Sequence, residues 1–361
     1  MTSGAKGTKV MAPLKTRHTA AESAKLDASL GAAFDDDAAG LSIARDQPRN
    51  TPITGERVGP ALLFLAHYFF FPIIVFKAGW HPEWLTITIG VWFLQSCGGF
   101  LSFHRFFAHR GFDTSRWFAF VLGVVGATCG QGGLLYWAGT HRHHHKVCDV
   151  VGDPHSPLEW GDKLPRILQF LYAQGGWMIL RGTEPAELWW SSVRDWSRYP
   201  ELRVLHEVTP TLFLSAGAAI FYFHGLVGFA YAFALPTMIS WNGMQLVNSA
   251  THMIGERKYD VAGSLNCEAH NIWWLWPLLL GENNHNNHHA FPHCARQGFE
   301  WWEIDPIYYL IQLLEVLGLV WNLRQPPADR AKWLRADWKA ANAAKAAKAK
   351  APPAYPVDVR G

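Results

Sequence analysis

Apolar and polar positions divide the chain into two polar ends and a long apolar middle. Residues 59–79 and 84–103 are apolar stretches of the length that crosses a bilayer, since a helical span needs roughly twenty residues. Residues 209–247 are mostly apolar and are broken near His224 and Gly225, which leaves room for two more spans. The pattern therefore predicts an all-α membrane protein with four transmembrane helices in two hairpins.

Other apolar stretches do not fit a simple crossing. Residues 117–136 are long enough to span, but a single crossing would put the polar motifs that flank them on opposite membrane faces, so we expect them to lie at the interface or to fold back. Residues 272–280 are too short to cross. Asp305 and Pro306 predict the start of a helix that runs along the membrane to about Trp321. These stretches are expected to form a helical cap beside the membrane.

The ends of the chain differ from the middle in composition and charge. Residues 1–58 are rich in Ala, Ser, Thr, Lys and Asp, which predicts a disordered tail, and residues 324–361 form a basic tail rich in Ala, Lys and Pro. Basic residues also follow the second predicted span, so the positive-inside rule places both termini and the cap in the cytoplasm, beneath the inner membrane if the protein is bacterial. The net charge of +3 is too small to favour a nucleic-acid partner.

Histidines concentrate beside the predicted spans, and imidazole is the commonest neutral metal ligand. The candidate ligands are His104, His109, His141, His144, His145, His252, His285, His288 and His289. The five cysteines show no C-x-x-C spacing and are expected to be reduced thiols. Many imidazoles without a sulfur cluster favour iron that handles dioxygen, and this number of ring nitrogens suffices for two metal ions.

Spacing predicts how these imidazoles are arranged. Residues three and four apart share a helix face, so each of two clusters is expected to aim at a single point. These clusters are His141, His144 and His145, and His285, His288 and His289. His104 and His109 are five apart, which spoils their alignment on a regular helix and suits a turn at the end of a span.

The motifs around these histidines are HRFFAHR, WAGTHRHHHK, DPHSP, LVNSATHMIG and GENNHNNHHAFP, followed by WWEID. They resemble the motifs of membrane fatty acyl desaturases, the stearoyl-CoA desaturase type and its bacterial relatives, over roughly residues 60–323. The resemblance implies a membrane desaturase domain over residues 59–323, whose cytoplasmic cap holds a di-iron centre on the nine histidines. Asn248 would sit beside one iron and hold a water molecule. The residues expected outside this ligand set are His143, His155 and His293, and the carboxylates expected to orient the ligands are Asp149, Asp153, Asp260 and Glu282.

The resemblance also implies a reaction. The enzyme would be an oxidoreductase that acts on paired donors, reduces dioxygen to water and leaves a cis double bond, at the Δ9 position, in a saturated fatty acyl chain. Its cofactors would be two iron ions, with dioxygen as co-substrate. The residues expected to line an acyl tunnel are Trp92, Phe93, Trp241 and Gln245. Gly139, Thr140 and Gln245 depart from the family pattern, which leaves both acyl-CoA and acyl-lipid substrates open.

The electrons are expected to come from a separate partner, because no His-Pro-Gly-Gly sequence of a fused cytochrome b5 occurs here. That partner would be a ferredoxin or a cytochrome b5-like protein with its reductase. The basic residues near the first two motifs are Arg105, Arg110, Arg116, Arg142 and Lys146. They have two interpretations of equal weight, a docking face for an acidic donor or the positive-inside signature alone.

Two alternative functions remain open at this point. A di-iron lipid hydroxylase could use the same scaffold and would produce an alcohol. A non-catalytic metal-binding or transport protein would need polar residues along a path through the membrane. Among the histidines of the predicted spans, only His67 and arguably His224 could serve such a path.

Overall fold

The computed structural model describes residues 62, 66–150, 152–159, 163–180, 190–261 and 267–350, with side chains described up to residue 343. The described chain is mostly helical, as predicted. Its longer helical segments are Ala66–Ala78, Pro82–Ala108, Arg116–Ala127, Leu134–Lys146, Pro200–His252, Pro306–Val316 and Ala336–Lys350. Its shorter ones are Arg166–Leu171, Tyr172–Gly176, Trp177–Leu180, Ser191–Val193, Arg194–Ser197, Trp273–Leu275, Trp276–Leu279, His285–Ala290 and Arg330–Trp333.

The predicted tails lie largely outside the described residues. The N-terminal tail of residues 1–58 lies wholly outside them, and so does the end of the C-terminal tail from residue 351. Within the C-terminal tail, the structure has a helix over Ala336–Lys350.

Within the part of the chain that the structure describes, two helices are long and apolar enough to cross a membrane, Pro82–Ala108 and Pro200–His252. The described part of the first predicted span, Ala66–Ala78, is a shorter apolar helix. These segments indicate association with a membrane, whereas the count of four spans stays a prediction.

The longer of the two helices is a hairpin rather than one rod. Gly225 interrupts it with φ 64° and ψ −158°, a conformation that glycine adopts without a Cβ clash. Aromatic rings pair across this break, Phe213 with Phe233 at 4.8 Å and Phe221 with Phe229 at 6.0 Å between centroids. Residues at similar distances before and after Gly225 are therefore in contact, so the chain reverses there.

A second reversal joins Ala66–Ala78 to Pro82–Ala108 at Gly79, whose φ is 82°. Tyr231 of the longer hairpin binds this turn. Its hydroxyl donates to the Gly79 carbonyl at 2.7 Å and accepts the His81 amide at 3.0 Å, and Thr88 donates to the Tyr231 carbonyl at 2.6 Å. The two hairpins thus pack with their turns together, and the opposite ends of their helices lead to the histidine motifs.

The apolar stretch 117–136 does not form one continuous helix. Arg116–Ala127 packs against the end of Pro82–Ala108, where Ser102 donates to the Leu122 carbonyl at 2.6 Å. Positive φ angles at Gly130 and Gly132 then end this segment before Leu134–Lys146 begins. The first two histidine motifs consequently lie beside each other.

The helix after Asp305 begins where the sequence predicts, because the Asp305 carboxylate accepts the Tyr308 amide at 3.0 Å. The predicted end near Trp321 is wrong. The helix stops at Val316, Gly318 takes a φ of 71°, and Val320–Trp321 forms a short antiparallel ladder with Asp113–Thr114. This ladder is the one strand pair among the described residues.

Candidate metal centre

A π-helix aligns the two histidines of the first motif. Residues Cys97–Ala108 follow the i→i+5 hydrogen-bond pattern, and the His109 amide donates to the His104 carbonyl at 3.1 Å. Because a π-helix has a wider turn than an α-helix, residues five apart come onto one face, and such segments are frequent at functional sites. The helix ends at Ala108 and His109 is its C-cap, so the two histidines meet at the end of the span, as the spacing predicts.

The second and third motifs each divide their histidines between two groups, which corrects the prediction that each cluster aims at one point. In an α-helix successive residues are about 100° apart, so residue i+4 lies about 40° to one side of residue i and residue i+3 about 60° to the other side. His141 and His145 therefore share one group while His144 joins the other. In the same way, His285 and His289 belong to one group and His288 belongs to the other.

The first group has five imidazoles, those of His104, His109, His141, His145 and His288. Their Nε2 atoms face one another. The separations are 2.8 Å between His109 and His141, 3.1 Å between His141 and His145, and 3.0 Å between His145 and His288. His104 and His288 close the set at 3.0 Å.

The second group has four imidazoles, those of His144, His252, His285 and His289. Its Nε2 atoms also converge. His285 lies 3.0 Å from both His252 and His289, and His144 lies 3.4 Å from His289. His252 arrives from the end of the longer hairpin, so this group joins three segments that are distant in the chain.

Carboxylates hold the other ring nitrogen of three of these histidines. Nδ1 of His104 lies 2.7 Å from Glu282. Nδ1 of His144 lies 2.8 Å from Asp153, and Nδ1 of His252 lies 2.9 Å from Asp149. A carboxylate at Nδ1 keeps the proton there and leaves the lone pair on Nε2 directed into the group.

The fourth expected carboxylate, Asp260, has a different partner. Its side chain is 64% exposed and lies 3.4 Å from Arg335, so it does not orient a histidine of either group. The other histidines near the motifs sit outside both groups. Nδ1 of His293 lies 2.9 Å from the His109 carbonyl, and the His155 ring packs 4.5 Å from that of His144.

The cysteine prediction is wrong for two of the five. Cys148 and Cys267 are joined by a disulfide, whereas Cys97, Cys129 and Cys294 are free and buried. The pair has no local sequence signature because its members are 119 residues apart. Both sulfurs face Nδ1 of His289, at 3.6 Å from Cys148 and 3.2 Å from Cys267.

Burial favours the neutral form of the histidines of the third motif. Burial and the neighbouring imidazoles lower the pKa of His285, His288 and His289 well below the usual histidine value. Burial alone would raise the pKa of Glu282, but its interactions with His104 and Arg105 lower that pKa to about 2. Metal binding requires neutral imidazoles and ionised carboxylates, the forms that these pKa shifts favour for His285, His288, His289 and Glu282.

The donor set fits two metal ions. Two nitrogens bound to one ion at about 2.1 Å and at right angles lie about 3.0 Å apart, as the Nε2 atoms do within each group. Lone pairs packed this closely without enough protons to share repel one another, and a cation removes that repulsion. Each group offers more than three imidazoles, and iron is among the metals that imidazole suits.

A cavity of about 360 Å³ reaches this centre. His141 and Asn248 lie at its wall, and so do Gln245 and Trp241, two of the residues predicted to line a tunnel. The aromatic and apolar residues that line the rest of it include Tyr136, Trp137, Trp177, Pro210, Phe213, Leu214 and Met244. A mostly apolar lining with a few polar groups suits an apolar ligand that carries a polar group at one end.

The structure does not bring the other two predicted tunnel residues to this cavity. Trp92 packs against the main hydrophobic core, and Phe93 is 39% exposed on the outer side of its helix. Asn248 lies at the cavity, where its side-chain amide donates to Gln245 at 3.1 Å. The Trp177 indole donates to the same Gln245 oxygen at 3.4 Å, so these side chains form one polar patch in the wall.

Most of the arginines near the first two motifs are structural, which argues against the docking-face interpretation for them. Arg105 is buried, with ion pairs to Glu282 and Asp305 at 2.9 Å each. Arg142 and Arg110 both pair with Asp195, at 3.0 and 2.7 Å. The more exposed Arg116 pairs with Glu201 at 2.6 Å. The sequence could not identify these pairs, since each partner lies far along the chain.

Two of these arginines, Arg105 and Arg142, support the centre, a role that the sequence did not reveal. Arg105 connects the carboxylate that orients His104 to the carboxylate that caps the helix at Pro306. Arg142 donates to the Phe107 and Ala108 carbonyls at 2.7 and 2.8 Å, which fastens the second motif to the first. An arginine directly after His104 or His141 was the available signal.

Comparisons with known proteins agree with these features. The family model described as fatty acid desaturase matches residues 78–342. The chain is 33% identical to the sn-1 stearoyl-lipid 9-desaturase of Anabaena variabilis over 67% of this chain and 85% of that protein. It is 32% identical to Delta-9 acyl-lipid desaturase 1 of Arabidopsis thaliana, over 67% and 75% of the two chains. It is also 33% identical to Acyl-CoA 5-desaturase AL21 of Anemone leveillei, over 70% and 74%.

Proposed function

The chain belongs to the fatty acid desaturase family, and on this premise we propose that it is a membrane di-iron enzyme that introduces a cis Δ9 double bond into a saturated fatty acyl chain. Membership makes it an oxidoreductase that acts on acyl chains. The finer points of the proposal are two irons, dioxygen as co-substrate, and two electrons from a separate ferredoxin or cytochrome b5-like donor with its reductase.

One observation carries the proposal. Nine imidazoles, eight of them buried, converge as groups of five and four, and the cavity beside them touches His141 of the first group. A transport protein would instead place its metal-binding residues along a path through the spans. The proposed ligands of one iron are His104, His109, His141, His145 and His288, and those of the other are His144, His252, His285 and His289, with Asn248 beside them.

Iron bound there would supply the activation of dioxygen that removes hydrogen from an unactivated methylene pair. The protein itself holds and orients the histidines that would bind the metal. Asp153, Asp149 and Glu282 each keep a proton on Nδ1 of a histidine and thereby present Nε2 as a lone-pair donor. All three carboxylates are buried, which keeps water from competing for these hydrogen bonds.

The shape of the cavity has to determine which carbons of the acyl chain react, because a methylene group offers no polar atom for recognition. The apolar rings of Phe213 and Trp241 lie along the cavity, whereas Gln245, Asn248 and Trp177 form its polar patch. We propose that the hydrocarbon packs against the rings and that the carbonyl end of the substrate meets polar groups of the wall. The Δ9 position rests on the relatives named as 9-desaturases. Both acyl-lipid and acyl-CoA enzymes occur among the relatives, so both head groups enter the test.

The proposed topology has four spans in two hairpins, with both termini and the metal centre in the cytoplasm, and the inner membrane as its location if the protein is bacterial. It is supported by the reversal at Gly225, the turn at Gly79 and the basic residues near the motifs. The turns of the two hairpins lie together, which puts the histidine-bearing ends on the same side.

The test is fatty-acid profiling by gas chromatography–mass spectrometry, after expression in a host that lacks its own desaturase. Wild type should form a new cis-monoene whose double bond lies at Δ9. His144→Ala should form none while it still inserts into the membrane, whereas His143→Gln should retain activity, because His143 belongs to neither group. A hydroxy acid in place of the alkene would favour the hydroxylase. Full activity of His144→Ala would refute the site.

A further inference from the structure

His289 differs from the other histidines of its group in what its outer nitrogen faces. His144 and His252 have carboxylates at Nδ1, 2.8 Å away in Asp153 and 2.9 Å away in Asp149. Nδ1 of His289 faces two sulfurs instead, those of Cys267 at 3.2 Å and Cys148 at 3.6 Å. Both distances fall within the range of hydrogen bonds to sulfur.

The disulfide is built into the frame of the metal centre. Cys148 follows the helix that carries His144 and precedes Asp149, the partner of His252. On the other side, the Glu268 amide next to Cys267 donates to the same Asp149 carboxylate at 2.7 Å. Both cysteines are 1% exposed, so the sulfurs meet His289 in a site that excludes water. The disulfide therefore joins the segment after the second motif to the segment before the third.

We propose that the Cys148–Cys267 disulfide positions His289 by accepting its Nδ1 proton, the role that carboxylates have for His144 and His252. The inference rests on the proposed function, because a fixed Nδ1 proton matters only if Nε2 binds a metal. An outer hydrogen-bond partner fixes the tautomer and the ring orientation of a metal-binding histidine. Loss of that partner typically lowers the metal affinity by about 10- to 100-fold. Each sulfur is a weak acceptor, and both lie within hydrogen-bonding distance of Nδ1.

The experiment compares the wild-type protein with two double variants in detergent, purified without metal and titrated with Co²⁺. Bound metal is counted by mass spectrometry and the ligand field is followed in the visible spectrum. Cys148→Ala with Cys267→Ala removes both sulfurs and should weaken one of the two bound ions by roughly 10- to 100-fold. Cys148→Ala with Cys267→Asp returns an acceptor to Nδ1 without a cross-link and should restore binding toward the wild-type value.

A matched control removes two other buried cysteines, Cys97→Ala with Cys294→Ala, which are free and belong to neither histidine group. It should bind both ions as wild type does. Unchanged binding in the variant that lacks both sulfurs would overturn the proposal. Equal losses in the Ala and Asp variants, with both folded like the control by gel filtration and circular dichroism, would also overturn it, because the disulfide would then act only as a cross-link. A wild-type protein that binds no Co²⁺ would refute the proposed function itself, and this inference with it.

Discussion

Replacement of Arg105 should be among the most destabilising single changes in the chain. The guanidinium is 1% exposed and lies between the carboxylates of Glu282 and Asp305, at 2.9 Å from each, while it also donates to the Ala295 carbonyl at 2.9 Å. Arg105→Leu keeps much of the side-chain volume but leaves two buried carboxylates without their cation. Removal of one partner of a buried ion pair costs about 3–5 kcal/mol. Because Arg105 serves two carboxylates, we expect the upper part of that range.

The assay is thermal unfolding in detergent, followed by the fluorescence of the 19 Trp residues. At about 2–4 °C per kcal/mol for a domain of about 150–250 residues, a loss of about 4–5 kcal/mol lowers Tm by about 8–20 °C. Arg116→Leu is the matched control. Its ion pair with Glu201 has similar geometry, but the Arg116 side chain is 64% exposed, so its loss should cost less than about 1 kcal/mol.

Burial is the variable that separates these two arginines, and the comparison tests it directly. A Tm for Arg105→Leu within error of that for Arg116→Leu would refute the reasoning. It would mean that Glu282 and Asp305 find other partners, or take up protons, at little cost.

Three further predictions concern the metal centre and the cavity. Asp153→Asn should weaken one bound ion by roughly 10- to 100-fold in a Co²⁺ titration, because it removes the carboxylate at Nδ1 of His144; unchanged affinity would show that Asp153 does not orient this ligand. The metal-free protein should lose thermal stability as the pH falls below about 6.5, the usual histidine pKa. Burial lowers the pKa of His285, His288 and His289 in the folded state, so the unfolded chain binds more protons below that pH and is favoured there. A Tm that stays constant or rises as the pH is lowered from about 7 to about 5 would contradict this prediction. Trp241→Ala should shift the fatty-acid profile toward longer chains by enlarging the cavity, whereas Trp92→Ala, outside the cavity, should lower stability without that shift; equal profiles in gas chromatography would argue against Trp241 as a wall of the substrate site.

Much of the site was predictable because its ligands form short, dense motifs. Histidine spacings at His141 and His285, the isolated His252 and the apolar stretches between them were enough to predict two metals beside a membrane. The helix start at Asp305 was also predictable, since an N-cap acceptor followed by proline acts within a few residues.

The division of the ligands was not predictable from the motifs taken as units. The sequence predicted that each motif serves one point, whereas the structure separates His144 from His141 and His145, and His288 from His285 and His289. The π-helix at Cys97–Ala108 was equally hidden, since no residue pattern in the span demands a wider turn. The division of the histidines and the π-helix both depend on the backbone geometry. That geometry is selected by packing against the neighbouring segments.

The sequence by itself thus determined which residues are available as ligands, which segments are apolar, and where local capping begins a helix, because these depend on interactions within a few residues. The tertiary structure decided which imidazoles share a metal, which carboxylate or sulfur stands behind each of them, and which arginines are buried. Those choices join residues such as Arg105 and Asp305, or Cys148 and Cys267, that meet only after the hairpins have packed. Contacts of that kind depend on the relative placement of whole segments, and nothing in the local sequence of either partner specifies them.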